Sequence, residues 1–402
     1  MVMDLAPTGP SAEFPSGRNL RIAFFAGTMR PGHDGVTRVL YRLIDYLREQ
    51  NIDHSFFSPI VPTDGEYQSI MTRVPSVPFP LYKDYRVALP GQQYFEERLS
   101  AFAPDIIHIN SPCSLGYAAV KYGRRHGIPV VATYHTHFIS YARYYKVRAL
   151  ESMTWNYFRK LYNRCDRVLV PSVPVLNELS AHGLTTVEHL PHGVDANRFN
   201  PGFKSTEWKR RYGVDGRIAL LFVGRLVWEK DLQTLASAYR VLTRRRNDLA
   251  FVLVGDGPIR EELKRMMPGA KFLGHQSGLE LTAAYASSDM LVFPSTTETF
   301  GNVIVEAMAS GIPAVCANEG GASGVVQNGR TGLLAEPRDE HDLAEKIELL
   351  ADDPTLRENL ASNALSFARN QSWDKIFDRQ MQIYSSILQN VSIQRLQHVK
   401  AA

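Results

Sequence analysis

Apolar residues in this chain fall into short unbroken runs, separated by stretches whose apolar positions recur at helical spacing. The first run, 20–26, leads through a loop at Gly32-His33-Asp34-Gly35 into a helical pattern at 36–48. Further strand candidates lie at 53–58, 105–110, 129–134 and 167–171, and the alternation restarts at 218–224 with later strand candidates at 250–255, 271–274, 290–294 and 313–317. Strands that alternate with helices predict parallel sheets covered on both faces. Two such series predict an α/β protein of two doubly wound, Rossmann-like domains. The expected division is a disordered leader at 1–19, rich in Pro, Ser, Gly and Ala, then domains at 20–194 and 195–372, and a final helical segment at 373–402 with an amphipathic stretch at 373–388. The boundary falls between His192-Gly193-Val194-Asp195 and Asn200-Pro201, which carry the Gly, Asp, Asn and Pro of a linker.

Composition changes this picture little. Among 402 residues, 44% are apolar and 21% charged, enough for two full cores. The three cysteines, Cys113, Cys165 and Cys316, have no metal-binding spacing and predict a reducing, cytoplasmic setting. No apolar run approaches the roughly 20 residues of a membrane span, and the leader lacks the apolar core of a signal peptide. The distribution of charge is more informative. Of the overall +4, the segment 121–167 carries ten basic side chains, Arg143, Lys146 and Arg148 among them, against Glu151 and Asp166, so the remainder is net negative. Aromatics such as Tyr134, Tyr141, Tyr145, Trp155 and Tyr162 are interleaved. This pattern fits a solvated helix face, a single-stranded nucleic-acid surface, or an interface with anionic lipid. No recognised RNA module accompanies it, and the expected partner is a membrane surface, not nucleic acid.

The chemistry concentrates after the strands of the second half. Glu298 and Glu306 lie eight positions apart, one in a loop and one two turns into the following helix, with Phe300-Gly301-Asn302 at that helix's start. One carboxylate can take sugar hydroxyls and the other ribose hydroxyls, while free N–H groups and the positive end of the helix take a diphosphate. Arg225 and Lys230 follow the strand at 218–224, where open α/β sheets bind ligands, and can neutralise a diphosphate leaving group. A solvated helix start is the alternative. Gly255-Asp256-Gly257-Pro258 resembles half a dinucleotide fingerprint, but Arg260 stands at the third glycine position. Pro258 suits a first helical position, so the stretch predicts a tight turn near a ligand and gives little support to a nicotinamide cofactor. Gly35 suits a backbone that approaches a phosphate or a plain strand–helix turn. His135 and His137 alternate at a strand end, which argues against a metal pair and leaves one of them to contact a sugar.

Taken in order, Gly224-Arg225 with Lys230, Gly255-Asp256-Gly257-Pro258, Pro294-Ser295 and Glu298 with Glu306 resemble a family 4 glycosyltransferase of the GT-B fold. His192-Gly193-Val194-Asp195 with Phe199 matches that family's interdomain hinge, and the resemblance extends over nearly the whole chain from about Leu20. It implies an acceptor-binding first domain and a nucleotide-sugar-binding second domain. Arg225 and Lys230 would hold the diphosphate, Glu298 the sugar hydroxyls and Glu306 the ribose. Phe300, Gly301 and Asn302 would offer backbone N–H groups, with Val303 and Gly255 in the same donor site. Gly274 and His275 would border the base. His135 would reach the sugar from the opposite domain, and Gly35 would let its helix approach the diphosphate. The resemblance implies transfer with retention and no cofactor or metal, in line with the lack of an Asp-x-Asp site. A narrower likeness, carried by Tyr134 to Tyr145, Val168 to Ser172 and Thr297 to Gly311, is to GDP-mannose-dependent mannosyltransferases and sulfoquinovosyl-diacylglycerol synthases. It favours mannose from GDP-mannose and a lipid or lipid-linked acceptor, with a UDP-sugar as the alternative donor. Phe300 departs from the Leu frequent in the sulfolipid enzymes. An epimerase would need further acid/base carboxylates in the first domain, and a phosphorylase a phosphate site or pyridoxal lysine. Neither is identifiable, and the intact Arg225, Lys230, Glu298 and Glu306 set argues against a non-catalytic binder.

Overall fold

In a computed structural model of the chain, the described residues are 19–32, 35–78, 86–89, 91–137, 139 and 148–401. The expected leader falls almost entirely outside them. The first half contains β1 (Arg21–Phe25), β2 (Asp53–Ser58), β3 (Met71–Arg73), β4 (Ser76–Pro78), β5 (Arg86–Ala88), β6 (Ile106–Ile109), β7 (Val130–Thr133), β8 (Arg167–Val170) and β9 (Val187–His189). The second contains β10 (Ile218–Val223), β11 (Leu249–Val254), β12 (Lys271–Gly274), β13 (Met290–Phe293), β14 (Ala314–Ala317) and β15 (Gly332–Ala335). They form a sheet of order β3-β2-β1-β6-β7-β8-β9, a sheet of order β12-β11-β10-β13-β14-β15 and an antiparallel β4-β5 pair. Every pairing within the two large sheets is parallel.

The apolar runs become parallel strands because both of their faces are buried. In the first sheet Ile22, Phe24, Ile106, Val131 and Leu169 point to one side, and Ala23, Phe25, Ile107, Val130, Ala132 and Val168 to the other. On the first side lie Leu40, Leu43, Ile44 and Leu47 of helix Gly35–Glu49. Beside them, helix Trp373–Ala401 returns from the second half and packs Ile376, Phe377, Ile383, Tyr384 and Ile387, spaced as one helix face, onto the same layer. Tyr384 Oη contacts His108 Nδ1 within that layer. The opposite side is covered by helix Ser114–His126 and helix Arg148–Tyr162. There Trp155, Phe158 and Tyr162 are buried with Tyr134. Several aromatics of the basic segment are therefore core residues and unavailable for stacking on a nucleic acid.

The chain passes between the domains twice, and the two passages touch. The Val194 N–H donates to the Gln371 carbonyl at 2.6 Å. A Cβ on Gly193 would stand 2.7 Å from the backbone N and Cα of Trp373, so the position requires glycine. Arg42 of the first helix pairs with Asp195 at 2.6 Å, and the Asp195 carboxylate also accepts from the N–H groups of Asn197 and Arg198. Among the described residues no helix is long and apolar enough to cross a membrane.

Candidate active site

In each sheet the strand order reverses beside the first strand, between β1 and β6 and between β10 and β13. At such switch points loops leave the strands in opposite directions and open a crevice at the carboxyl ends. The two crevices face each other across one cleft of about 860 Å³. Of the residues predicted for the site, Gly35, His135, Arg225, Gly255, His275, Val303 and Glu306 line it. Asn302 and Glu306 line a smaller cavity beside it, together with Arg38, Arg42 and Arg198.

The floor on the second domain is built by close backbone approach. A Cβ on Gly255 would fall 1.9 Å from the Gly224 carbonyl oxygen, which excludes any side chain there. The Gly255 N–H donates to the Gly274 carbonyl at 2.8 Å, tying the three strand ends together. The turn after β11 occupies Pro258 and Ile259 and the helix begins only at Arg260. Pro258 is thus two residues ahead of the helix and not at its first position.

Glu306 is half-buried at the edge of the cleft, and its carboxylate accepts from Tyr285 Oη at 2.7 Å. Burial pushes its carboxyl up from the ordinary carboxylate range, while the Tyr285 hydrogen bond and the field of Arg38, Arg198 and Arg42 pull it down. Gly301 caps the helix Asn302–Ala309 at φ +93°, a left-handed conformation that glycine adopts freely. Asn302 Oδ1 sits 2.8 Å from His192 Nδ1, and the His192 ring packs against Phe300 at 5.1 Å. The first helix comes close here: a Cβ on Gly35 would reach the Asn302 amide at 3.7 Å.

Lys230 and Glu298, expected in separate contacts, meet in one ion pair between Nζ and Oε1. Ser295 Oγ donates to the same carboxylate at 3.1 Å. Neither residue lines the main cleft, whereas Arg225 does. The two loops are further joined by Asp231, which sequence reading missed. Its Oδ2 accepts from the Thr296 N–H at 2.9 Å and the Thr296 hydroxyl at 2.7 Å. The Thr297 hydroxyl donates to the Glu229 carbonyl at 2.9 Å. Asp231 holds this position at φ +52°, a conformation that is uncommon for a residue other than glycine.

From the first domain, His135 Nε2 lies 3.0 Å from Asn110 Oδ1, and the His135 carbonyl accepts from the Thr299 hydroxyl of the second domain at 2.8 Å. Burial, with His192 and His108 nearby, holds the imidazole well below the usual histidine range, so it is neutral. His137 has a different fate: it is buried against Tyr134 at 3.0 Å and Glu178 at 3.1 Å. Arg143 and Lys146 lie outside the described residues, as does the side chain of Arg148, the first residue of its helix.

Three cleft arginines, Arg38, Arg198 and Arg225, face two carboxylates, Asp256 and Glu306, in this crevice. The excess of guanidinium charge suits a dianionic ligand, and the half-buried Glu306 carboxylate beside it suits hydroxyls. Arg38 and Arg198 were missed in the sequence because nothing around them marks a motif. Asn110 and Tyr285 carried a weak signal in their places, one at a strand's carboxyl end and one on the helix before β13.

Two protein-family descriptions match the chain: "Glycosyltransferase Family 4" over residues 33–198 and "Glycosyl transferases group 1" over 204–367. A GDP-mannose-dependent alpha-mannosyltransferase of Corynebacterium glutamicum is 32% identical over 378 residues, 92% of this chain and 90% of that protein. A sulfoquinovosyl transferase of Arabidopsis thaliana is 35% identical over 308 residues, 74% of this chain and 60% of that protein. The sucrose-phosphate synthase structure from Thermosynechococcus elongatus superposes with a TM-score of 0.77 at 21% identity, over 92% of this chain and all of that one. The chain therefore belongs to glycosyltransferase family 4, in the branch that resembles GDP-mannose-dependent mannosyltransferases and sulfoquinovosyl transferases, and is a glycosyltransferase of the GT-B fold.

Proposed function

We propose that this glycosyltransferase moves a hexose, with mannose from GDP-mannose as the favoured donor, onto a lipid or lipid-linked glycan. Transfer proceeds with retention at the anomeric carbon and without a metal, at the cytoplasmic face of the cell membrane. The observation that carries this reading is the cleft itself, where the half-buried Glu306 carboxylate shares the lining with the guanidinium groups of Arg38, Arg198 and Arg225 at the switch points of both sheets. The mannosyltransferase relative, similar over nine-tenths of the chain, makes GDP-mannose the first choice.

In this scheme Glu306 takes the ribose and Arg225 the diphosphate, with Lys230 and the N–H groups at Phe300, Gly301, Asn302 and Val303. Gly255, Gly274 and His275 border the base, and Gly35 lets the first helix come close. Glu298 takes sugar hydroxyls and orients Lys230, and His135 meets the sugar from the other wall. Fixed positive charge at the diphosphate stabilises the leaving group as the glycosidic bond to it breaks, which is the work a metal would otherwise do. The sulfoquinovosyl relative favours a second reading, a UDP-sugar donor.

Thermal unfolding with GDP, UDP and ADP tests the donor site. A ligand at 100 times its Kd adds about 2.7 kcal/mol of stability. A GDP-selective shift that disappears in Glu306→Ala is the expected result. A UDP-selective shift gives the donor to the second reading, and no shift with any nucleotide removes the donor site. Membrane contact is tested on anionic vesicles at low salt, where each basic residue near the surface contributes about 1 kcal/mol. Joint neutralisation of Arg143, Lys146 and Arg148 should release the protein, and unchanged binding would assign that segment to a solvated face.

A further inference from the structure

Two polar side-chain atoms in the cleft wall of the first domain are buried and have no partner among the described residues: Asn110 Nδ2 and His135 Nδ1. Both residues line the main cleft, and Asn110 as a whole is 7% exposed. They are joined at their other ends, Asn110 Oδ1 to His135 Nε2 at 3.0 Å. A buried polar atom left unmet costs about 1–3 kcal/mol, so two on adjoining residues of a ligand cleft point to groups that the ligand brings.

The join fixes what the pair offers. If Asn110 Oδ1 accepts from Nε2–H, His135 Nδ1 is a bare acceptor and the Asn110 amide NH2 a donor. If the amide is turned over, its NH2 donates to Nε2, Nδ1 carries the proton, and Oδ1 becomes the free acceptor. In both arrangements the pair presents one donor and one acceptor. His135 is neutral because burial disfavours its charged form, so the pair offers no cation. The two free atoms lie on opposite sides of the join, and separate hydroxyls, each able to donate or accept, meet them in either arrangement. A sulfonate, carboxylate or phosphate only accepts, and would set oxygen lone pairs against the pair's own acceptor.

We infer that Asn110 is a specificity-determining residue which, joined to His135, recognises uncharged hydroxyl groups of the transferred hexose and disfavours an acidic group in the same place. This rests on the reading of the cleft as a nucleotide-hexose site. It separates the two donor readings by chemistry, since a sulfonated sugar that placed its acid here would meet no positive charge. Asn110 acts on the sugar and not on the nucleotide, which occupies the wall of the second domain.

The test is calorimetric titration of wild-type protein, Asn110→Ala and Asn110→Asp with GDP and GDP-mannose, and with UDP and UDP-glucose. The wild type selects the pair to be compared. The expected result is that both variants bind the free nucleotide as the wild type does and bind the nucleotide hexose about tenfold or more weakly. Asn110→Asp keeps the shape of the side chain and guards against a packing defect in Asn110→Ala. Among monodeoxy analogues of the hexose, one should lose about tenfold with wild type and lose nothing further when Asn110 is replaced. Equal weakening of nucleotide and nucleotide hexose, unchanged binding of both, or an effect confined to the acceptor KM would overturn the inference while leaving the donor site standing. Failure of the wild type to bind any of the four ligands would overturn the donor-site reading and this inference with it.

Discussion

At the scale of single residues, the site is held together by burial more than by formal charge. His108 and His192 are buried, while His135 lines the cleft, and burial holds His192 down at about 4 and His108 at about 3, from an ordinary 6.5. The unfolded chain binds protons at these positions below pH 6.5 and the folded chain does not. Stability therefore rises with pH across the window between about 4 and 6.5, and is lost as pH falls through it. Each such histidine contributes a slope of about 1.4 kcal/mol per pH unit inside its window. The melting temperature should drop steadily between pH 6.5 and 4.5, and His192→Gln should flatten that slope by close to one proton. Identical slopes in the two proteins would mean that His192 is protonated in the native state. The same burial keeps His135 neutral at pH 7, so in the proposed site it would serve as a hydrogen-bonding group and not as a cation.

At the scale of elements, the loop after β10 and the loop after β13 behave as one unit. Asp231 is 6% exposed, strained at φ +52°, and takes two hydrogen bonds from Thr296. Arg338 closes the group through the Thr296 hydroxyl at 2.8 Å. Lys230 and Glu298 are the neighbours of these two anchors, so their ion pair is set by the Asp231–Thr296 contact. Asp231→Gly relieves the backbone strain and removes only the carboxylate. It should cost about 1–3 kcal/mol of stability and lower kcat by more than tenfold, with a smaller change in nucleotide affinity. Thr296→Val should do much the same, and the double variant should lose far less than the sum. Additive losses would show that the two loops are held independently. This unit also marks where sequence reading stops. The strands expected at 218–224 and 290–294 were legible to within a residue because a buried parallel strand is a continuous apolar run. Strands β3 and β9 were not, since three residues carry no usable period. The places of Arg225 and Glu306 in the cleft were legible, one just after a strand and one two turns into the following helix. Asp231 was not, because an acidic residue after Lys230 reads as surface until Thr296 is seen folded onto it from 65 positions away.

At the scale of the whole molecule, transfer requires the Asn110–His135 wall and the Arg225–Glu306 wall to meet in register, yet each belongs to a different core. The register is set where the two interdomain passages touch. Gly193 lies flat against Trp373 with no room for a Cβ, Val194 bonds to Gln371, and the His192 ring packs 5.8 Å from that of Trp373. Just before the contact runs His192, whose ring reaches Asn302 at the donor helix. Just after it runs Asp195, which grips Arg42 on the first helix. A displacement at Gly193 is thereby carried to both walls. Gly193→Ala should push the passages apart and cost about 1–3 kcal/mol of stability, the usual cost of overpacking. Nucleotide affinity should change little, because Arg225, Glu306 and the glycine floor sit on the second core alone. Turnover should fall by more than tenfold, since the sugar-facing wall is then out of place. Calorimetric unfolding, nucleotide titration and initial rates on the one variant separate these effects. A Gly193→Ala protein with native turnover would move the control of domain register away from this crossing, to the packing of the final helix on the first sheet.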